Sequence, residues 1–135
     1  MDGEARRQLH IVVVGPCAAG KTTLVNGLIA CGFAGARLVV QEHSGVHDLW
    51  ARRGPPDALI YLDVQVATMN LRQGRTDWTD TARAEQVLRL ESARRECHFY
   101  LPTDDLTIPQ VLETVVLFLE GHFTQGAVFT IPDVI

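Results

Sequence analysis

The segment Gly15-Pro16-Cys17-Ala18-Ala19-Gly20-Lys21-Thr22 constrains the fold more than any other, because it joins two apolar stretches of different period through a turn bracketed by glycine. Upstream, Leu9-His10-Ile11-Val12-Val13-Val14 is a short, β-branched run of the kind that makes a strand buried on both faces. Downstream, residues 22–31 set Leu24, Val25, Leu28 and Ile29 on one helical face, and Gly32 stands where that helix stops. A strand, a glycine loop and a helix are expected in that order.

The segment also matches the pattern G-x-x-x-x-G-K-[ST], and its chemistry follows from that order of elements. Of the 12 basic residues, Lys21 is the sole lysine and the rest are arginine. A compact ammonium fits beneath a tight loop where a planar guanidinium is too wide. Backbone N–H groups of residues 16–22 are expected to curl around a phosphate at the helix N-terminus, where unsatisfied donors and the helix dipole favour an anion. Gly15 and Gly20 leave room for the turn and for the phosphate. In this reading Lys21 bridges two phosphates and reaches outward, so that Lys21→Ala spares the fold, while Thr22 offers its hydroxyl to Mg²⁺. The binding segment comprises Gly15, Pro16, Cys17, Ala18, Ala19, Gly20, Lys21, Thr22 and Thr23. Cys17 occupies a variable position; it is either a small filler or a thiol made acidic by the helix N-terminus.

At 135 residues the chain reads as one domain, residues 1–135, with 121–135 as an apolar tail. A share of 47% hydrophobic and 21% charged residues is that of an ordinary globular protein, and a net charge of −4 argues against non-specific nucleic-acid binding. Cys17, Cys31 and Cys97 form no C-x-x-C pair, so neither a disulfide framework nor a zinc site is indicated. The polar start, without a signal-like apolar stretch, and the lack of a membrane-length segment point to the cytoplasm.

Further along, strands are expected at residues 37–41, 58–64 and 97–101. Helices are expected at 46–53, 66–72 and 81–96, the last using Ala82, Val87, Leu90 and Ala93. Thr107-Ile108-Pro109-Gln110 has the form of a capping box and opens a helix buried through Val111, Leu112, Val115, Val116 and Leu119, with Gly121 as its end. Val128-Phe129-Thr130-Ile131 is either an added edge strand or a contact to a second subunit. Strands alternating with helices imply a three-layer α/β/α fold with a mainly parallel sheet of four to five strands. Glu42 and Asp63 then join the glycine loop at the carboxyl edge.

The loop and its flanks resemble the P-loop NTPase superfamily. Residues 9–120 are more loosely similar to small kinases of the adenylate, shikimate and gluconate kinase kind. There a strand like Leu59-Ile60-Tyr61-Leu62-Asp63 leads to an arginine-bearing lid, here Leu71-Arg72-Gln73-Gly74-Arg75, and a late turn like Thr103-Asp104-Asp105-Leu106-Thr107 opens the last helix. The resemblance implies Mg-ATP as ligand, Arg72 and Arg75 closing over the nucleotide, and the Thr103 turn bordering its base. The chain departs from those kinases between residues 32 and 58, where they carry a helical acceptor-binding region and one more strand.

Among the other candidates, Glu42 is expected to hold Mg²⁺ or to act as a base, the alternative being a solvated carboxylate. Asp63 competes for the metal, or caps the next helix. Arg52 and Arg53 clamp an anionic acceptor or answer a helix dipole. His43 orients an acceptor or packs, and Trp78 anchors the lid or the core. The leading functional expectation is an ATP-dependent phosphotransferase acting on a small molecule, with Lys21, Glu42, Arg72 and Arg75 in catalysis and Thr22, Glu42 and Asp63 toward the metal. A nucleotide-hydrolysing switch and a non-catalytic binding module are the alternatives. Guanine recognition through Asn/Thr-Lys-x-Asp is absent, since the sole lysine lies in the glycine loop.

Overall fold

The computed structural model describes the backbone of residues 1–129 and the side chains of residues 1–124. Four strands, β1 (Ile11–Val14), β2 (Ala36–Leu38), β3 (Ala58–Asp63) and β4 (Phe99–Pro102), form one sheet in the order β2-β1-β3-β4, parallel throughout. Registers such as Val13 against Leu38 and Ile60 put the carboxyl ends of β1, β2 and β3 on one edge. In a parallel sheet that edge is where ligands bind.

The helices are α1 (Gly3–Gln8), α2 (Lys21–Ala30), α3 (Val66–Gln73), α4 (Asp80–Arg89), α5 (Glu91–Glu96) and α6 (Ile108–Phe129). β1 and β3 are buried along their whole length, so their side chains feed two cores by simple alternation. Ile11, Val13, Ile60 and Leu62 meet Leu24, Leu28, Met69, Val115 and Leu119 on one face. Val12, Val14, Leu59 and Tyr61 meet Leu90 and Ala93 on the other. The layers are therefore α2, α3 and α6, then the sheet, then α4 and α5, a three-layer α/β/α architecture.

Several elements differ from their sequence expectations. The polar start forms α1, capped by the Asp2 carboxylate, which accepts from Ala5 N at 2.8 Å. Ile29 is 47% exposed; the buried face of α2 is Lys21, Leu24, Val25 and Leu28. β2 stops at Leu38, and residues 41–43 make a 3-10 turn in place of a strand end. Only Leu49–Ala51, another 3-10 turn, remains of the helix expected at 46–53. The helix expected at 81–96 breaks at Leu90 (φ −93°, ψ 2°), which lets both Leu90 and Ala93 reach the sheet. Thr107 and Gln110 do form the capping box: Gln110 N donates to Thr107 Oγ1 at 3.2 Å and Thr107 N to Gln110 Oε1 at 2.9 Å. Gly121 does not end α6, because one glycine costs a helix only about 1 kcal/mol, which the buried row of Val111, Val115 and Leu119 outweighs. Val128 and Phe129 are helical, not an edge strand. Residues 130–135, and with them the proposed subunit contact, lie outside the described residues.

Among the described residues no helix is long and apolar enough to cross a membrane.

Candidate functional site

The loop between β1 and α2 is shaped by two glycines with different reasons. Gly15 has φ +153°, and a Cβ there would meet Leu62 O at 2.0 Å, so only glycine lets β1 and the loop lie against β3. Gly20 is the N-cap of α2 with φ +102° and faces open space. No described side chain caps α2. A helix N-terminus without a side-chain cap offers its first N–H groups to an anion.

Lys21 does not reach outward as the sequence suggested. It is 8% exposed, and its Nζ donates to Gly15 O at 2.8 Å and Pro16 O at 3.0 Å while pairing with Glu42 Oε2 at 2.8 Å. The reason is Glu42 itself, which is 3% exposed and would otherwise be a buried, uncompensated anion. A 3-10 turn carries Glu42 into the loop, and neighbouring polar groups fix that turn. Gln41, fully buried, donates through Nε2 to Val46 O at 2.6 Å and Arg89 O at 3.2 Å and accepts from Trp50 N at 3.0 Å. Arg89 donates to Glu42 O at 3.2 Å. Glu42 Oε1 is buried with no hydrogen-bond partner. Thr22 is exposed in the first turn of α2. An orphaned carboxylate oxygen and a hydroxyl are both oxygen donors, the kind Mg²⁺ takes.

The other expected residues are placed less simply. Asp63 Oδ1 accepts from Val64 N at 2.8 Å and from Arg83 at 2.9 Å, and Oδ2 accepts from the Tyr100 hydroxyl. Its oxygens serve the β3–β4 junction. Burial, with the Asp63 carboxylate as acceptor, pushes the Tyr100 phenol up to about 12. Arg72 spans two loops: it donates to Ala18 O at 2.8 Å, to Thr103 Oγ1 at 2.9 Å and to Thr103 O. The Thr103 hydroxyl in turn donates to Ala19 O at 2.9 Å. Arg72 thus contacts the glycine loop directly. Arg75 is elsewhere, held by Asp77 at 2.7 Å and stacked 4.8 Å over Trp78. The Asp77 bond raises the Arg75 guanidinium and lowers the Asp77 carboxyl. Gly74 (φ +63°) ends α3 between the two arginines. Arg52 pairs with Asp48 at 3.2 Å, on the 3-10 turn and away from the loop contacts just described.

Beside the loop lies a cavity of about 530 Å³ lined by Gly20, Thr23, Leu24, Arg72, Thr103 and Ile108 among others. Its size and apolar walls with a few polar groups suit a small planar ligand.

Gln86 was not anticipated. It is 5% exposed on α4, accepts from Cys17 N at 3.0 Å through Oε1 and donates to Cys17 Sγ at 3.1 Å through Nε2. A polar residue at i, where Leu90 and Ala93 at i+4 and i+7 are buried, was the available signal. Arg83 and Tyr100 left no such trace.

No protein-family model matches the sequence, and no curated protein matches it.

Proposed function

We propose that the chain is a nucleotide-binding protein of the P-loop NTPase superfamily, that it binds Mg-ATP through residues 15–23, and that it transfers the terminal phosphoryl group to a small molecule. The observation that carries this reading is the position of Lys21 Nζ. It sits inside the glycine loop, 2.8 Å from the buried Glu42 carboxylate, at the uncapped N-terminus of α2, and Ala18, Ala19 and Gly20 of the same loop line the 530 Å³ cavity. The three unpaired thiols fit a reducing cytoplasm.

In this reading the N–H groups of residues 16–22 hold the β-phosphate, and the Lys21 ammonium exchanges part of its Glu42 contact for phosphate oxygen. Thr22 and Glu42 would hold Mg²⁺, which when bound neutralises charge on the phosphates. Arg72 keeps Ala18 and Thr103 together, so it shapes the cavity that takes the base and can turn one N–H toward phosphate. The geometry supports no such role for Arg75, and Asp63 is engaged elsewhere.

One observation favours hydrolysis or sensing as a second reading. β2 lies directly against β1, and between α2 and β3 the described residues hold only β2 and two 3-10 turns, where kinases of the similar kind carry an acceptor region. The test is calorimetry with Mg-ATP, followed by ADP release measured with and without a panel of small-molecule acceptors. Mg-ATP binding and acceptor-dependent release are expected. Release that ignores every acceptor would move the assignment to hydrolysis, and the absence of binding would overturn both readings. Glu42→Gln should retain binding and lower turnover roughly a hundredfold.

A further inference from the structure

Three metal-ligating side chains of different chemistry converge on one side of the glycine loop. Cys17 Sγ lies 3.4 Å from His43 Nε2, and His43 Nε2 lies 3.9 Å from Glu42 Oε2. The sulfur, the imidazole nitrogen and the carboxylate oxygen all fall within 4.8 Å of one another. Spacing in the sequence gives no hint of this, since Cys17 is separated from His43 by all of α2 and β2.

We propose that Cys17, Glu42 and His43 form a binding site for a borderline-soft divalent ion, zinc being the best match. A tetrahedral ion with Zn–S near 2.3 Å and Zn–N or Zn–O near 2.0–2.2 Å sets its ligand atoms roughly 3.4–3.6 Å apart. The Cys17–His43 and His43–Glu42 separations of 3.4 and 3.9 Å meet that requirement to within a few tenths of an ångström, and the Cys17–Glu42 pair, within 4.8 Å, closes the rest by side-chain rotation. A thiolate and an imidazole select zinc over Mg²⁺, which takes oxygen donors.

The surroundings strengthen the assignment. Glu42 is anchored with its side chain 4% exposed, and the oxygen that faces His43 is Oε2, which also pairs with Lys21 at 2.8 Å, so the ion and the ammonium share that atom. Gln86 Nε2 donates to Cys17 Sγ at 3.1 Å, an outer contact that orients the sulfur. On binding, the Zn–S bond replaces the S–H bond and the proton leaves to solvent. His43, with a side chain 55% exposed, lies on the open side, leaving the fourth position to water. Three protein ligands with an open fourth position describe an exchangeable site.

Cobalt(II) reports such a site directly, because a thiolate ligand gives a charge-transfer band and tetrahedral geometry gives strong visible bands. Untagged protein titrated with cobalt should show both with one ion per chain, and zinc should displace the cobalt and abolish them. Cys17→Ser should remove the charge-transfer band. His43→Ala, at an exposed position where folding is not at stake, should weaken zinc binding roughly tenfold or more. Cys31→Ser and Cys97→Ser should change neither. A band that survives Cys17→Ser, wild-type zinc affinity in His43→Ala, or a wild-type protein without the band would each overturn the assignment.

Discussion

At the scale of single residues, the Lys21–Glu42 pair sets what each partner can do. Both are buried, so removing one leaves the other charged in a poorly solvated place, whereas removing both does not. Lys21→Ala should therefore lower stability by about 3 kcal/mol as well as abolish nucleotide binding. The double variant Lys21→Ala with Glu42→Gln should regain a good part of that loss. Urea denaturation of the two single variants and the double variant measures the coupling; purely additive losses would mean that the pair is not formed in solution. The bare pattern G-x-x-x-x-G-K-[ST] could not disclose this. It identifies a lysine that a phosphate will need and says nothing about which carboxylate holds that lysine beforehand. Glu42 was legible as a candidate from its place after an apolar run, yet its burial depends on Gln41 and Arg89, which act across the fold.

At the scale of elements, the junction of β1 with the loop and the start of α3 each carry a definite prediction. Gly15→Ala places a Cβ 2.0 Å from Leu62 O, on backbone that cannot yield without parting β1 from β3. Crowding and the unfavourable φ together should cost about 3 kcal/mol, read as a lower urea midpoint with slope unchanged. Asp104 links the late turn to α3. Partial burial would raise its carboxyl, but the bonds from Gln65 N–H, at 2.9 Å, and from the Thr68 hydroxyl hold it below its ordinary value. A carboxyl depressed in the fold adds stability above its unfolded value and gives it up as pH falls through the folded one. The stability gap between wild type and Asp104→Asn, about 0.5 kcal/mol at this partly exposed site, should thus be present at neutral pH. It should close as the pH drops below about 4. Thermal melts of both proteins across that range test it, and a gap that is constant in pH would exclude the charge as its source. β3 was readable from its continuous apolar run and α6 from its capping box, because both signals are local. The break at Leu90 was not, since a polar helix with four apolar positions is equally consistent with one straight element or two; only the need for Leu90 and Ala93 to reach the sheet decides it.

At the scale of the whole molecule, the parallel order β2-β1-β3-β4 brings the glycine loop, the Glu42 turn and the Thr103 turn to one edge, which no segment achieves alone. Alternation of strand and helix made the α/β class legible, but not which loops touch. The Arg72 bridge between Ala18 and Thr103, and the cavity it borders, follow from the packing of α3 and α6 on one face of the sheet. In the proposed reading, that arrangement gives a nucleotide two separable points of attachment, its phosphates at α2 and its base in the cavity. A ligand that binds only the folded state at a hundred times its Kd adds about 2.7 kcal/mol, which for a chain of this size raises Tm by about 10 °C. Mg-ATP should produce such a shift, and Mg-tripolyphosphate, which fills the loop but not the cavity, a smaller one. Arg72→Ala should narrow the difference by lowering the ATP shift toward that of tripolyphosphate, because it loosens the cavity and leaves the loop donors in place. Equal shifts for ATP and tripolyphosphate in the wild type would show that the base makes no contact. The cavity beside Gly20 and Thr103 would then have to serve another ligand.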